Sequence, residues 1–181
     1  NLEKEGFTVI QGPDTPKKLS LDEHHVYAVQ DIMFEALHCS ISLAETTRKI
    51  LDDLDLRPQE YILVTAHRAE NVDDPIRLQS LVNMLNSVSE KYQLVFPLHP
   101  RTAKQLQTMS PGLCARIKLI KPVGYLSMIV LEKNARAIMT DSGGVQKEAF
   151  WLNIPCLTMR KETEWIELVK QGGNYLVDLD L

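Results

Sequence analysis

The sequence predicts an α/β protein built on a Rossmann-like, doubly wound parallel sheet. From Val26 onward, short runs rich in Val, Ile and Leu alternate with longer amphipathic stretches. The short runs are continuously apolar, as expected for strands that are buried on both faces. Strand–helix alternation repeated this many times favours parallel strands joined by right-handed crossover helices.

The predicted strands are short and rich in β-branched residues. They cover residues 26–29, 61–65, 93–96, 117–121, 136–140, 154–159 and 175–177. Helices are predicted between them. Residues 31–53 carry apolar side chains mostly along one stripe, and residues 75–91 follow Asp74, a favourable N-cap, with Pro75 at the first helical position.

Shorter helices are expected in the second half of the chain, after Pro100, Gly124, Ser142 and Thr163. Thr163 is a suitable cap for the last of them. Asn153 tolerates the left-handed conformation required just past a helix end, and Pro155 prevents that helix from continuing.

The length and composition fit one domain of ordinary size. The chain has 181 residues, of which 44% are hydrophobic, so it can bury a sizeable core. Residues 1–25 contain Gly12, Pro13 and Pro16 and are predicted to be a linker or N-terminal segment. Residues 26–181 are predicted to form the Rossmann-like domain.

Charge and cysteine usage exclude several classes of protein. The formal net charge is −4, so no basic field favours nucleic acid or an anionic membrane as a partner. The sequence contains no apolar run long enough to predict a membrane span. The three cysteines include no C-x-x-C pair and suit reduced thiols in the cytoplasm. The five histidines show no zinc-binding spacing, so no metal site is predicted.

Polar residues cluster just after the predicted strands, where open α/β sheets bind their ligands. The most informative segment runs from Asp141 to Ala149. Gly143 and Gly144 allow an anion to approach the backbone at a helix N-terminus, and the Ser142 hydroxyl is a further donor. Glu148 could accept both hydroxyls of a ribose. A tight strand–helix turn with a Ser N-cap is an equally good interpretation of this segment alone.

Three further segments follow other strands. Residues 65–71 place His67 beside Arg68, which suits a diphosphate or proton transfer. Residues 96–101 hold His99 and Arg101 in a turn fixed by two prolines. The backbone around Gly124 and Tyr125 could contact the edge of a base. Taken alone, residues 65–71 are better explained as an ordinary surface loop, and the other two segments also fit ordinary proline-containing turns.

The order and the letters of these segments together resemble one family. The motifs are A-H-R-x-E-N, P-x-H-P, P-x-x-Y, D-S-G-G-x-Q-x-E-A and L-x-x-P-x-L-x-x-R-x-x-T-E. They are similar to those of the non-hydrolysing UDP-N-acetylglucosamine 2-epimerases and run through nearly the whole chain. The resemblance implies two Rossmann-like domains facing across a cleft, as in GT-B glycosyltransferases. This chain resembles the C-terminal domain, without the N-terminal one.

The resemblance also implies roles for individual residues. Ser142, Gly143 and Gly144 would hold the diphosphate of UDP, and Glu148 would bind the ribose. The loop ending in Gly124 and Tyr125 would contact the uracil. His67 would be the catalytic candidate of this chain, and Arg68 and His99 would bind a second, activating nucleotide-sugar.

The implied reaction inverts the carbon that bears the acetamido group. The C2 proton is removed, UDP leaves C1, and UDP then adds back after C2 is protonated on the other face. The carboxylates that move protons in the family lie in the N-terminal domain, so this chain alone should bind the nucleotide and hardly turn over. No cofactor besides the UDP-sugar substrate is implied. The full-length enzyme would be a cytoplasmic homodimer serving polysaccharide biosynthesis.

Departures from the family pattern concern the sugar. Trp165 and Ile166 stand where many members have Arg-Pro. The T-E-W-x-E sequence resembles the branch that acts on UDP-diacetamido-uronic acids. Two other functions stay open at this point, the donor-binding domain of a GT-B glycosyltransferase and an inactive UDP-sugar-binding module.

Overall fold

The structure, a computed structural model, describes residues 8–11, 25–28, 31–46, 49–110 and 112–179. The chain divides into two compact units, residues 1–36 and 37–181. In the first unit, β1 (Thr8–Gln11) and β2 (His25–Ala28) form a parallel two-stranded sheet. β1 lies within residues 1–25, where Thr8, Val9 and Ile10 supply the β-branched run of a strand that was not predicted. The turn residues on which the linker prediction rests, Gly12, Pro13 and Pro16, lie outside the described residues, so the linker stays a prediction. The boundary at residue 26 stays a prediction.

The second unit contains one parallel sheet of six strands, in the order β5-β4-β3-β6-β7-β8. Each strand lies within one or two residues of a predicted one. The strands are β3 (Tyr61–Thr65), β4 (Gln93–Pro97), β5 (Lys118–Ile120), β6 (Ala137–Thr140), β7 (Cys156–Thr158) and β8 (Asn174–Leu176). This order confirms the predicted doubly wound, Rossmann-like sheet.

Eight helices lie among the described residues. They are α1 (Ile32–Glu45), α2 (Lys49–Asp53), α3 (Ala69–Val72), α4 (Pro75–Val88), α5 (Pro100–Leu106), α6 (Tyr125–Lys133), α7 (Gly143–Trp151) and α8 (Ile166–Lys170). None of these described helices is long and apolar enough to cross a membrane.

Both faces of the sheet are covered, as the continuous apolar runs predict. Tyr61 and Leu63 of β3 belong to one buried cluster, whereas Ile62 and Val64 belong to another. Successive side chains of a strand point to opposite faces, so the two clusters lie on opposite sides of the sheet. Leu51, Ile129 and Ala149 bring α2, α6 and α7 to the first cluster. Leu78, Leu81 and Leu85 bring α4 to the second.

Two local predictions are confirmed. Asp74 caps α4, because its carboxylate accepts hydrogen bonds from the backbone N–H groups of Ile76 at 2.8 Å and Arg77 at 3.3 Å. Asn153 adopts a φ of 56° just past α7. The backbone N–H of Ile154 then donates to Ala149, which closes the end of the helix.

Two helix predictions were wrong in detail. The stretch 31–53 is not one helix, because α1 ends where the Thr46 hydroxyl donates to the Leu43 carbonyl at 2.6 Å. Thr163 does not cap α8, since Trp165 holds the N-cap position. Instead, the buried Thr163 hydroxyl donates to Gln146 Oε1 at 2.6 Å and accepts from the Trp165 N–H at 3.1 Å.

Candidate functional site

The candidate site lies where the sheet changes its direction of winding, between β3 and β6. From β3 the next strand along the chain is placed on one side, and from β6 on the other, so a crevice opens beyond their carboxyl ends. Thr65 and Thr140 are paired at the ends of these two strands, with their hydroxyl oxygens 2.5 Å apart. The predicted segments containing His67 and Ser142 therefore start side by side.

Asp141 connects these two segments. Its carboxylate is fully buried and accepts hydrogen bonds from the backbone N–H groups of His67, at 3.0 Å, and Arg68, at 2.9 Å. The Asn71 side-chain amide donates to the same carboxylate at 3.2 Å, and His67 Nδ1 lies 3.5 Å from it. Asp141 is not among the predicted site residues. Its position directly after a buried strand is the signal that could have drawn attention to it.

Ser142 forms the start of α7, as predicted. Its backbone is extended at φ −83° and ψ 126°, and its N–H donates to the Thr140 hydroxyl at 2.9 Å. The Ser142 hydroxyl accepts from the Val145 N–H at 3.5 Å, a long capping contact. Gly143 and Gly144 then begin a nine-residue helix whose N-terminal N–H groups can interact with an anion.

Side chains from the segment before α8 lie against the start of α7. A Cβ atom at Gly143 would come within 2.4 Å of Glu164 Oε1 and 3.2 Å of Trp165 Nε1, so a larger residue at this position would have to move the Glu164 carboxylate. Trp165 Nε1 is buried without a hydrogen-bond partner. Lys147 Nζ lies 4.3 Å from the Trp165 ring centroid, a cation–π distance.

Glu164 connects the start of α7 to two arginines. Its carboxylate lies 2.6 Å from Arg160 Nη1 and 3.4 Å from Arg68 Nη2. A hydrogen bond from its own backbone N–H and the two neighbouring arginines lower the pKa of the Glu164 carboxyl. Arg68, predicted to bind a nucleotide-sugar, is thus held by this carboxylate in the structure.

Glu148 and Tyr125 lie together at the side of the crevice. Glu148 is only 7% exposed, and burial raises the pKa of its carboxyl, although a hydrogen bond from Tyr125 and the charge of Lys147 oppose this shift. Burial and the Glu148 charge raise the pKa of the Tyr125 hydroxyl to about 12, so it stays a hydrogen-bond donor. Gly124 precedes Tyr125 as the N-cap of α6.

His67 and His99 share one cavity of about 210 Å³. Their ring centroids are 5.9 Å apart. His99 Nδ1 accepts a hydrogen bond from the Arg101 N–H at 3.2 Å, so a neutral His99 carries its proton on Nε2. The cavity is lined by Thr65, His67, Pro97, His99, Pro122, Val123, Met128 and Val145.

The structure brings the predicted site residues to one edge of the sheet. His67 and His99 line the cavity, Ser142 and the two glycines begin α7, and Glu148 contacts Tyr125. Within the described parts of the chain, His, Cys, Asp and Glu side chains form no group of three suited to a metal ion. Fold and site together define a Rossmann-like α/β domain with a polar crevice at its switch point.

The chain belongs to the UDP-N-acetylglucosamine 2-epimerase family, whose pattern matches residues 16–180. A UDP-N-acetylglucosamine 2-epimerase homolog of Methanococcus maripaludis is 46% identical over 178 residues, which cover 94% of this chain and 49% of the relative. A UDP-2,3-diacetamido-2,3-dideoxy-D-glucuronate 2-epimerase of Pseudomonas aeruginosa is 52% identical over 118 residues, 65% of this chain and 33% of that protein.

Solved structures give the same result. The UDP-GlcNAc 2-epimerase of Methanocaldococcus jannaschii, in complex with UDP-GlcNAc and UDP, matches with a TM-score of 0.77 and 38% identity. The match covers 84% of this chain and 44% of that one. The chain therefore spans about half the length of the curated relatives and solved structures that it matches. These matches confirm the family that the order of the motifs predicts, and they agree with the Rossmann-like fold.

Proposed function

We propose that this chain is the UDP-binding half of an enzyme that interconverts the C2 epimers of a UDP-N-acetylhexosamine. The observation that carries the proposal is the arrangement around α7. The helix begins at Ser142, directly after β6 at the switch point of the sheet, and the buried Glu148 lies on the same helix beside Tyr125. Anion donors and a ribose acceptor thus occur within two turns of one helix.

In the proposed complex, the pyrophosphate of UDP binds the N–H groups at the start of α7 and the Ser142 hydroxyl. The helix dipole and the free N–H donors favour a dianion there. The Glu148 carboxylate accepts the two ribose hydroxyls, and the backbone at Gly124 and Tyr125 contacts the uracil. The crystal complex of the M. jannaschii relative with UDP-GlcNAc and UDP supports this ligand class.

The proposed reaction removes the C2 proton and expels UDP from C1, which leaves an enzyme-bound glycal. Protonation of C2 on the opposite face and re-addition of UDP at C1 complete the epimerisation. UDP must stay bound while it is detached, and donors fixed on a helix N-terminus hold and stabilise the leaving group. His67, positioned by Asp141 at the edge of the cavity, is the proposed catalytic residue of this chain.

Arg68 and His99 are proposed to bind a second nucleotide-sugar. His99 shares a cavity with His67, so a second ligand held by His99 would lie close to the reacting sugar. The sugar itself is proposed to be a 2-acetamido hexose or a diacetamido uronic acid. A UDP-N-acetylglucosamine 2-epimerase and a UDP-2,3-diacetamido-2,3-dideoxy-D-glucuronate 2-epimerase both match this chain. A homodimeric, cytoplasmic full-length enzyme in polysaccharide biosynthesis completes the proposal.

Deuterium exchange tests the reaction. The chain extended by an N-terminal domain such as its relatives contain is incubated with UDP-GlcNAc, and separately with the diacetamido-uronate analogue, in deuterated water. We expect deuterium at C2 of the sugar, because protonation of the glycal takes a solvent-derived hydron. A glycosyltransferase donor domain or an inactive binding module would leave C2 unlabelled with both substrates, and that result would contradict the epimerase proposal.

Replacement of Ser142 by Ala tests the anion site. The variant loses a helix cap worth about 1 kcal/mol and a hydroxyl donor to the pyrophosphate. We expect the UDP affinity, measured by calorimetry or by NMR titration of the chain, to weaken by roughly 1–3 kcal/mol. Ser110→Ala, at an exposed loop position, is the matched control. Equal UDP affinities for the two variants would remove Ser142 from the site.

A further inference from the structure

Glu132, on α6, is a buried acid that the proposed reaction does not use. Its side chain is fully buried, and neither carboxyl oxygen has a hydrogen-bond partner. An ionised carboxylate in such surroundings is strongly disfavoured, because it loses hydration and receives nothing in return. A protonated carboxyl tolerates the same surroundings far better.

Glu132 lies close to the ribose-binding candidate. Helix α6 packs against α7, and repulsion from Glu148 adds to burial in raising the pKa of the Glu132 carboxyl well above its ordinary range. Glu148 has what Glu132 lacks, since Tyr125 donates a hydrogen bond to it and Lys147 supplies a nearby positive charge. Of the two acids, Glu148 is therefore the one that ionises and Glu132 the one that keeps a proton.

The other groups around Glu132 do not compete for this proton. Burial raises the pKa of Tyr61, on β3, and raises the pKa of Cys156, on β7, to about 12. On its own helix, Tyr125 is a neutral donor. Helix α2 also packs against α6, but its charged Lys49 and Asp53 are largely exposed and pair with each other at 3.9 Å. Among these groups, Glu132 and Glu148 are therefore the ones that gain or lose a proton, and they do so as a coupled pair.

We propose that Glu132 is a positioning residue that holds one proton beside Glu148 and so leaves Glu148 as the single carboxylate that receives the ribose. This role rests on the proposed UDP site. The pair carries one negative charge over a wide pH range, because the first ionisation makes the second unfavourable. Loss of the Glu132 proton at alkaline pH adds a second charge next to the ribose site and to a ligand that is itself an anion.

The experiment compares the UDP affinity of the chain at neutral and alkaline pH by calorimetry. For the wild type we expect affinity to fall by about tenfold or more once Glu132 ionises, the size of a coupling of one pKa unit. Glu132→Gln mimics the protonated acid permanently, so its affinity should not show this alkaline fall. Glu90→Gln, at an exposed position, is the control and should show the wild-type fall.

A second measurement uses the wild type alone. Carbon-13 NMR of the glutamate carboxyl groups, with Glu132 assigned through the Gln variant, should show at neutral pH a protonated Glu132 and an ionised Glu148, with and without UDP. The folded chain also retains the Glu132 proton at a pH where the unfolded chain has released it. Stability should therefore decline as pH rises from about 4.3, the ordinary glutamate pKa, to the raised pKa, and Glu132→Gln should flatten this decline.

The outcomes separate the two proposals. An alkaline fall that persists unchanged in Glu132→Gln, or a Glu132 signal that titrates in the ordinary carboxyl range, overturns the positioning role while UDP still binds. Absence of UDP binding at every pH overturns the proposed function, and with it this role.

Discussion

Replacement of Asp141 by Asn should destabilise the second unit by about 3 kcal/mol, the cost of breaking a buried, hydrogen-bonded carboxylate. Asparagine has the same shape, but its amide nitrogen cannot accept. The N–H groups of His67 and Arg68 and the Asn71 amide all donate to Oδ2, and the His67 N–H also lies 3.1 Å from Oδ1. An asparagine that keeps its oxygen at the Oδ2 position therefore turns its own NH2 donor toward the His67 N–H, and it removes the negative charge that strengthens these hydrogen bonds. Urea denaturation measures the effect.

The control for this variant is Asp74→Asn. Asp74 also accepts two backbone N–H hydrogen bonds, but it caps an exposed helix end, where asparagine is about as favourable as aspartate. We expect a change below about 0.5 kcal/mol there. If Asp141→Asn has the same unfolding midpoint as this control, the loops after β3 and β6 are held by other contacts. Since Asp141 directly precedes Ser142, the variant should also weaken UDP binding.

Replacement of Glu148 by Gln should weaken UDP binding by about 2 kcal/mol, roughly thirtyfold. The ribose hydroxyls would lose an ionised acceptor that is held in place by Tyr125. Burial raises the pKa of the Glu148 carboxyl, so wild-type affinity should be present above that pKa and should fall as the acid gains its proton at lower pH. The glutamine variant has no such group, and its affinity should not show this acidic fall. Calorimetry across acidic and neutral pH measures both effects.

Glu167→Gln is the control for this prediction, because Glu167 is exposed in the first turn of α8, away from the crevice contacts. Unchanged UDP affinity for Glu148→Gln relative to Glu167→Gln would remove the ribose assignment. Glu148→Gln should affect UDP binding and stability differently, because it weakens binding but takes away the charge that repels Glu132. Its stability at alkaline pH should therefore be at least that of the wild type.

Much of the fold can be predicted because its signals are local. Continuous apolar runs mark strands buried on both faces, and β3 is buried at all five positions. The break after α1 was missed, since it depends on a hydroxyl hydrogen bond at Thr46 that competes with the helix. The Thr163 cap was wrong because α8 begins only at Ile166, so the Thr163 hydroxyl accepts from the Trp165 N–H before the helix starts. The same hydroxyl donates to the buried Gln146 side chain, a tertiary contact that the local sequence does not show.

In the candidate site, too, features with local signals could be predicted and features that depend on tertiary contacts could not. The start of a helix at Ser142 and its two glycines could be predicted from the residues that follow the strand. Which residues contact each charged group could not be predicted from the sequence. Asp141 receives donors from a segment more than seventy residues away, and the pairing of Glu132 with Glu148 depends on how two helices pack. Periodicity shows that Glu132 lies in a helix but not that its carboxyl has no partner.

The close approach of Glu164 to Gly143 affects how any measured nucleotide affinity should be understood. In the free protein, the first turn of α7 already has a resident anion, supplied by the chain itself and neutralised by Arg160 and Arg68. In the proposed complex, a pyrophosphate at this helix start would compete with the Glu164 carboxylate and would lie close to the two guanidinium groups that pair with it. If UDP binds as proposed, one anion replaces another at this helix start, and the measured dissociation constant reports the difference between their two interactions.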